Sequence, residues 1–229
     1  NLNSVESRLV DEIYYSFIKS GAKLDDDSKQ RYRDISQELS ALSPKFSNNV
    51  LNATNSINDY WLDSEDKFDG LPLNVIQSAK NRANSKNKPD EWCFSLDTDA
   101  MIFSQFCNNR NIRKDIVMKT SSRCNGGEFD NFDILKKISK LRHERANLLG
   151  FETHADLTLD RRMAKTKQTV YKFVDELLAP SYKKAKEELV EISTYANEID
   201  SIGELKSYDM SYYREKYKQS KFNFNEEEL

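Results

Sequence analysis

The sequence predicts a mostly α fold, with long helices and helical hairpins and one small two-stranded β element. Three observations point there. Gly 6 and Pro 4 in 229 residues are too few for an all-β sandwich, which needs a turn about every ten residues. Charged residues reach 32% beside 38% hydrophobic ones, the balance of helices with solvated faces. Apolar residues recur at three- and four-residue steps through most of the chain. Aromatic residues, at 11% (12 Phe, 11 Tyr, 2 Trp), exclude a disordered chain.

The elements follow in order. Leu9, Ile13, Phe17 and Ile18 stand at helical spacing, predicting a helix from Val5 to Ser20 that stops near Gly21. Asp25 to Asp27 supply an acidic start for a second helix, favourable against its dipole. Tyr32, Ile35, Leu39, Leu42, Phe46, Val50 and Ala53 form one stripe on it. Pro44 is expected to kink it, because proline removes one donor and crowds the preceding turn. Tyr60-Trp61-Leu62 and Trp92 to Leu96 read as two short strands. Between them Leu71-Pro72 opens a short helix with Val75, Ile76 and Ala79, followed by an exposed loop over Asn81 to Asp90. Ile102, Phe103 and Phe106 mark the next helix, and Ile112, Ile116 and Val117 another. Asn125-Gly126-Gly127 breaks the chain. Asp130 or Asn131 then caps a helix carrying Ile134, Leu135, Ile138, Leu141, Arg145 and Leu148 and closed by Gly150. Leu157 to Met163 predicts another. A long helix from Val170 to Ile199 is expected to be interrupted at Pro180, and Tyr208 to Tyr217 forms the last. Residues 1–57 thus read as a helical hairpin, 58–97 as the β element with its short helix, and 98–229 as a helical region. The three are expected to make one contiguous unit.

Charge narrows the function. The formal net charge is −3, so no basic excess exists to drive phosphate binding, and no nucleic-acid partner is expected. No run of about eighteen apolar residues occurs, so no membrane span is expected, and no signal peptide is visible. Cys93, Cys107 and Cys124 lack CxxC spacing and read as free thiols of a reducing compartment, for which a cytoplasmic location is expected. The chain starts at Asn1 inside a helical pattern and stops at Leu229 without a cap or polar tail. It reads as a segment of a longer protein.

The most metal-like stretch is His143-Glu144-Arg145-Ala146-Asn147, with Gly150 and His154 beyond it. A zinc-protease helix needs HExxH, because residues four apart reach one metal from one face while the Glu acts as base. Asn147 holds the second ligand position, and His154 lies one residue too far for the longer HExxHxxGxxH form. Surface residues and a turn are the expectation there. Asp25-Asp26-Asp27, Asp97 with Asp99, and Glu226-Glu227-Glu228 are read as solvated carboxylates, since acid–base pairs require burial or crowding to separate their pKa values. No GxSxG, GxGxxG or GxxxxGK[ST] occurs. Tyr208, Tyr212, Tyr213 and Tyr217 offer flat apolar area with hydroxyls, suited to a peptide groove or to ordinary helix packing.

Read as phrases, several stretches resemble the thimet oligopeptidase family of zinc metallopeptidases, most closely its bacterial peptidyl-dipeptidase (dipeptidyl carboxypeptidase) branch. They are Leu39 to Thr54 (LSALSPKFSNNVLNAT), Gly70-Leu71-Pro72, Phe129-Asp130-Asn131, Leu141 to Phe151 (LRHERANLLGF) and Thr153 to Asp156 running on to Met163–Thr166. Tyr208 to Lys216 (YDMSYYREK) and Phe224 to Leu229 (FNEEEL) follow. Tyr208-Asp209 stands where the family usually has Trp-Asp.

The resemblance implies a larger, channel-enclosing helical fold in two halves. It also implies an HExxH helix and a later Glu binding zinc, the helix Glu activating water. Those residues are not in this chain. Zinc is therefore expected in the full-length parent and not on this segment, for which no catalytic, cofactor-binding or metal residue is assigned. The segment would form a wall of the channel for short peptide substrates, together with the downstream catalytic half. A stand-alone helical protein-interaction module is the alternative, and a small metalloenzyme using His143, Glu144 and His154 is a third reading.

Overall fold

A computed structural model of the chain describes residues 2–222. The last phrase of the family resemblance, Phe224 to Leu229, and the Glu226–Glu228 run lie outside the described residues. Two compact units are distinguished, residues 1–48 with 131–178, and residues 49–130 with 179–229. Two long helices pass from one unit's residues to the other's: α2 (Asp26–Asn58) and α8 (Lys167–Asp200).

The first unit opens with α1 (Ser4–Lys19). The Asn3 side chain accepts from the N–H groups of Val5 and Glu6, while the Glu6 carboxylate accepts from the Asn3 N–H. That reciprocal cap satisfies donors that the first turn leaves orphaned. Asp25 does the same for α2, accepting from the Ser28 N–H at 2.8 Å. The core of this unit joins Ile35, Leu39 and Leu42 of α2 to Ile138, Leu141 and Leu148 of α6 (Phe132–Leu148). Asn131 precedes α6 at its cap position, but its amide donates to the Phe46 carbonyl at 3.2 Å, tying α6 to α2. Gly150, with φ +83°, ends α6 in the left-handed conformation that only glycine adopts without strain.

α7 spans His154–Leu159. It begins three residues earlier than the periodicity predicts, because the Thr153 hydroxyl accepts from the Asp156 N–H. It also stops short of Met163. The apolar spacing located the helix, and the cap set its start.

In the second unit, β1 (Asp59–Leu62) pairs antiparallel with β2 (Trp92–Ser95), Tyr60 opposite Phe94 and Trp61 opposite Cys93. The predicted β element is therefore present, with Leu96 passing to the next helix. Asn58 Oδ1 accepts from both Ser95 Oγ and the Asp97 N–H, binding the sheet to the start of α4 (Leu96–Phe106). Around the sheet pack α3 (Leu73–Ser85), α4 and α5 (Arg110–Ser121). Their shared core includes Tyr60, Leu62, Phe68, Phe94, Phe103 and Ile116. Phe94 and Phe103 meet edge to face at 4.8 Å, a favoured aromatic geometry. α3 runs on to Ser85 where the sequence suggested a loop from Asn81. Ala83 is fully buried, so that last turn is held by packing. A second cluster joins Ile192 and Ala196 of α8 to Tyr212 and Tyr213 of α9 (Met210–Phe222).

α8 continues through Pro180, and α2 through Pro44, so the interruption expected at Pro180 is not seen. Both prolines lie on exposed turns, where the carbonyl deprived of its partner can be hydrated.

Gly70 is the glycine most tightly pressed by its surroundings. Its φ is +88°, and an added Cβ would collide with the Phe106 carbonyl. Gly70→Ala is expected to destabilise the polypeptide by at least about 1–3 kcal/mol, the range for a non-glycine residue held in such a conformation. A urea midpoint unchanged from the parent would contradict this.

Candidate functional site

The His143–Glu144 stretch lies on α6, and structural contacts occupy most of it. Glu144 accepts two hydrogen bonds from the Arg31 guanidinium of α2, from Nε at 2.6 Å and from Nη2 at 2.8 Å. The Arg31 hydrogen bond holds the Glu144 carboxyl below its usual range against the opposing effect of burial. Asn147 donates to the carbonyls of Phe151 and Glu152 at 2.8 and 2.9 Å. It fastens the turn after α6, a task that needs an amide donor. His143 is exposed. His154 is the first residue of α7, and its Nδ1 is buried without a hydrogen-bond partner. Burial, then the nearby Arg142 and Arg145, lower its pKa from 6.5, so acid favours the unfolded chain at this position.

Among the described residues, no group of three or more His, Cys, Asp or Glu side chains is placed to hold a metal ion. The donor chemistry agrees, since Glu144 is engaged by Arg31 and Asn147 by backbone carbonyls. Because the Arg31–Glu144 pair is more than a third exposed, Glu144→Gln is expected to cost no more than about 1 kcal/mol. Thermal unfolding of the variant checks this, and a loss of several kcal/mol would contradict it.

The other candidates resolve into local roles. Asp25 caps α2, and Asp99 Oδ2 accepts from the Ser95 N–H at 2.8 Å. Cys93 and Cys107 are buried and Cys124 is half-buried, all free. Burial pushes the thiols of Cys93 and Cys107 up, away from nucleophilic thiolate character.

Of the tyrosines, Tyr212 and Tyr213 are buried, and Tyr208 and Tyr217 half-buried. Tyr213 donates to Asp200 at 2.9 Å and Tyr212 to Asn108 at 2.8 Å. Beneath them is a group that sequence reasoning passed over. Asp209 is 0% exposed and Arg113 1%. Arg113 donates to Asp209 at 3.1 Å and Arg110 at 2.7 Å. The Lys206 N–H adds a third donor to the same carboxylate. The Arg113 guanidinium also lies 4.0 Å from the centre of the Tyr212 ring, a cation–π contact, and donates to the Cys107 and Asn108 carbonyls. Burial pushes the Asp209 carboxyl up, but Arg110, the Lys206 N–H and Arg113 together hold it below the usual value of 3.8. The signal available in sequence was Arg110 and Arg113 three apart on one helix, together with Asp209 inside one of the family-like phrases. What the cluster does chemically is clamp α9 to α5.

Among the described residues, no helix is long and apolar enough to cross a membrane. Comparison with known proteins aligns this chain with peptidases throughout. It is 32% identical over 234 residues to oligopeptidase A of Escherichia coli, covering 100% of this chain and 34% of that protein. A probable cytosolic oligopeptidase A of Arabidopsis thaliana is 30% identical over 241 residues, again with 100% of this chain and 34% of the relative. Dipeptidyl carboxypeptidase of Escherichia coli is 24% identical over 230 residues, with the same two coverages. The chain thus spans about a third of the length of the curated relatives it matches. The profile of peptidase family M3 matches residues 103–229, more than half of the sequence, and the chain belongs to that family.

Proposed function

We propose that this chain is an N-terminal-half segment of an M3 zinc metallopeptidase that cleaves short peptides, of the oligopeptidase or peptidyl-dipeptidase type. Its part is to form a wall of the substrate channel, with no catalytic group of its own. The observation that carries this reading is the alignment of the whole chain with a third of each oligopeptidase relative.

The described residues do not fit zinc. Glu144 and Asn147 are committed to Arg31 and to backbone carbonyls, and among the described residues no three His, Cys, Asp or Glu side chains are grouped to hold a metal ion. On this reading the metal implied by the family resemblance belongs to the parent outside this segment, and these side chains take no part in the reaction. What the segment contributes is steric, since a wall of packed helices admits an extended peptide and excludes a folded protein. A cytoplasmic location accords with its three free thiols.

The test is hydrolysis by the full-length polypeptide of a short fluorogenic peptide and of a folded protein carrying the same sequence in a helix. Cleavage of the peptide alone, abolished by a chelator and restored by zinc, is the expected result. Absence of hydrolysis, or equal cleavage of the folded substrate, would overturn the proposal.

A further inference from the structure

The orientation of α1 is inverted relative to ordinary amphipathic packing. Its polar side is the one that meets its own unit. Lys19 donates to the Leu157 carbonyl at 3.0 Å, Arg161 pairs with Asp11 and Glu12, and the Arg161 guanidinium lies 4.1 Å from the centre of the Tyr15 ring. Glu12, Tyr15, Lys19, Leu157 and Arg161 bound a cleft of about 540 Å³ between α1 and residues 157–162. The apolar side, formed by Val5, Leu9, Val10, Ile13, Tyr14 and Phe17, is between 49% and 75% exposed, and no residue of α1 is buried. In the same unit α8 repeats the pattern, with Tyr171, Phe173, Val174, Leu177 and Leu178 between 48% and 65% exposed.

A helix in water turns its apolar stripe toward a core, and contiguous apolar patches on a folded protein mark contact surfaces. Here the sequence has placed ion-pairing residues on the side of α1 that packs locally and kept the other side apolar. The relatives align over all of this chain, α1 and α8 included, and are about three times its length, so most of such a polypeptide lies outside these residues. We infer that the apolar sides of α1 and of the first half of α8 are seats for the remaining part of the same M3 polypeptide. It would dock on them through apolar helical surface and complete this unit's core. The inference rests on the reading of the chain as a segment of a longer M3 peptidase.

Site-specific photocrosslinking in the full-length polypeptide tests it. Leu9→p-benzoylphenylalanine, and separately Ile13→p-benzoylphenylalanine, are expected to crosslink within one molecule. At least ten times more product should go to peptides outside residues 1–229 than to peptides inside them. Tyr15→p-benzoylphenylalanine, on the polar side, is expected to crosslink to residues 157–162, which confirms that α1 is folded as described. Product inside residues 1–229 from the apolar positions, product of twice the chain mass, or no product at all would each overturn the inference. The same preparations are assayed for peptide hydrolysis. An active enzyme without the outside crosslink sinks the docking seat alone, whereas the outside crosslink in an inactive protein sinks the proposed activity alone.

Discussion

Asp209→Ala is expected to lower the stability of the polypeptide by about 3–5 kcal/mol, the usual cost of stripping one partner from a buried ion pair. The size follows from burial. Asp209 and Arg113 are 0% and 1% exposed, so the substitution leaves the Arg113 guanidinium charged, dry and without its carboxylate. Arg113 Nε already lacks a hydrogen-bond partner, and the Cys107 and Asn108 carbonyls that Nη1 reaches carry no full negative charge. The exposed Arg31–Glu144 pair has shorter hydrogen bonds, yet its loss costs little, because water solvates what remains. Burial decides between them.

The same carboxyl gives a pH dependence with a definite sign. Its folded pKa lies below 3.8, so the unfolded chain binds the proton more readily. The contribution of Asp209 is fully present above the unfolded value and is lost as pH falls from there through the folded value. Asp209→Asn should therefore flatten the acid limb of the stability curve while lowering the neutral plateau. Denaturant midpoints at several pH values read both effects. An acid limb as steep as that of the parent protein would contradict the assignment.

Phe94→Ala is expected to cost a similar amount, about 3–5 kcal/mol, for a wholly different reason. The Phe94 ring is fully buried and touches Phe68 and Phe103, with ring centres 5.3 and 4.8 Å away. Truncation removes its transfer free energy and leaves a cavity that the two-stranded sheet cannot collapse into, because Tyr60 and Leu62 are fixed by pairing with β2. Unlike Asp209→Ala, this loss should not depend on pH. A midpoint shift below about 1 kcal/mol would mean that the sheet is not the organiser of its unit's core.

Much of the fold was legible because helical spacing is a strong local signal. The stripe from Ile35 to Leu42 and that from Ile138 to Leu148 located α2 and α6, and their residues do pack together. The strands were found from two aromatic-rich runs that pair residue for residue. The signal weakened where tertiary packing overrode local chemistry. Polar residues between Asn81 and Ser85 suggested a loop, yet burial of Ala83 carries α3 through them. Pro180 suggested a break, yet the helix tolerates it where solvent reaches the freed carbonyl. Periodicity also marks which residues share a face without stating which partner the face meets. For that reason the spacing of Leu9, Ile13 and Phe17 located α1 but gave no sign that its apolar side points outward.

The candidate site was legible in a different way. The absence of a second histidine at Asn147 could be read directly, and the amide there has a structural task. The Asp209 clamp is assembled from residues about a hundred positions apart in sequence, and pairing at such a distance leaves no periodic trace.

On the proposed function, the metal and the chemistry of the parent lie outside residues 1–229. Zinc content of the full-length polypeptide, measured for the natural protein and for the double variant His143→Ala/His154→Ala, tests it most directly. One zinc per chain is expected in both, with peptide hydrolysis retained in the variant. Loss of zinc from a variant that remains folded would contradict it, and would place the metal on the stretch from His143 to His154.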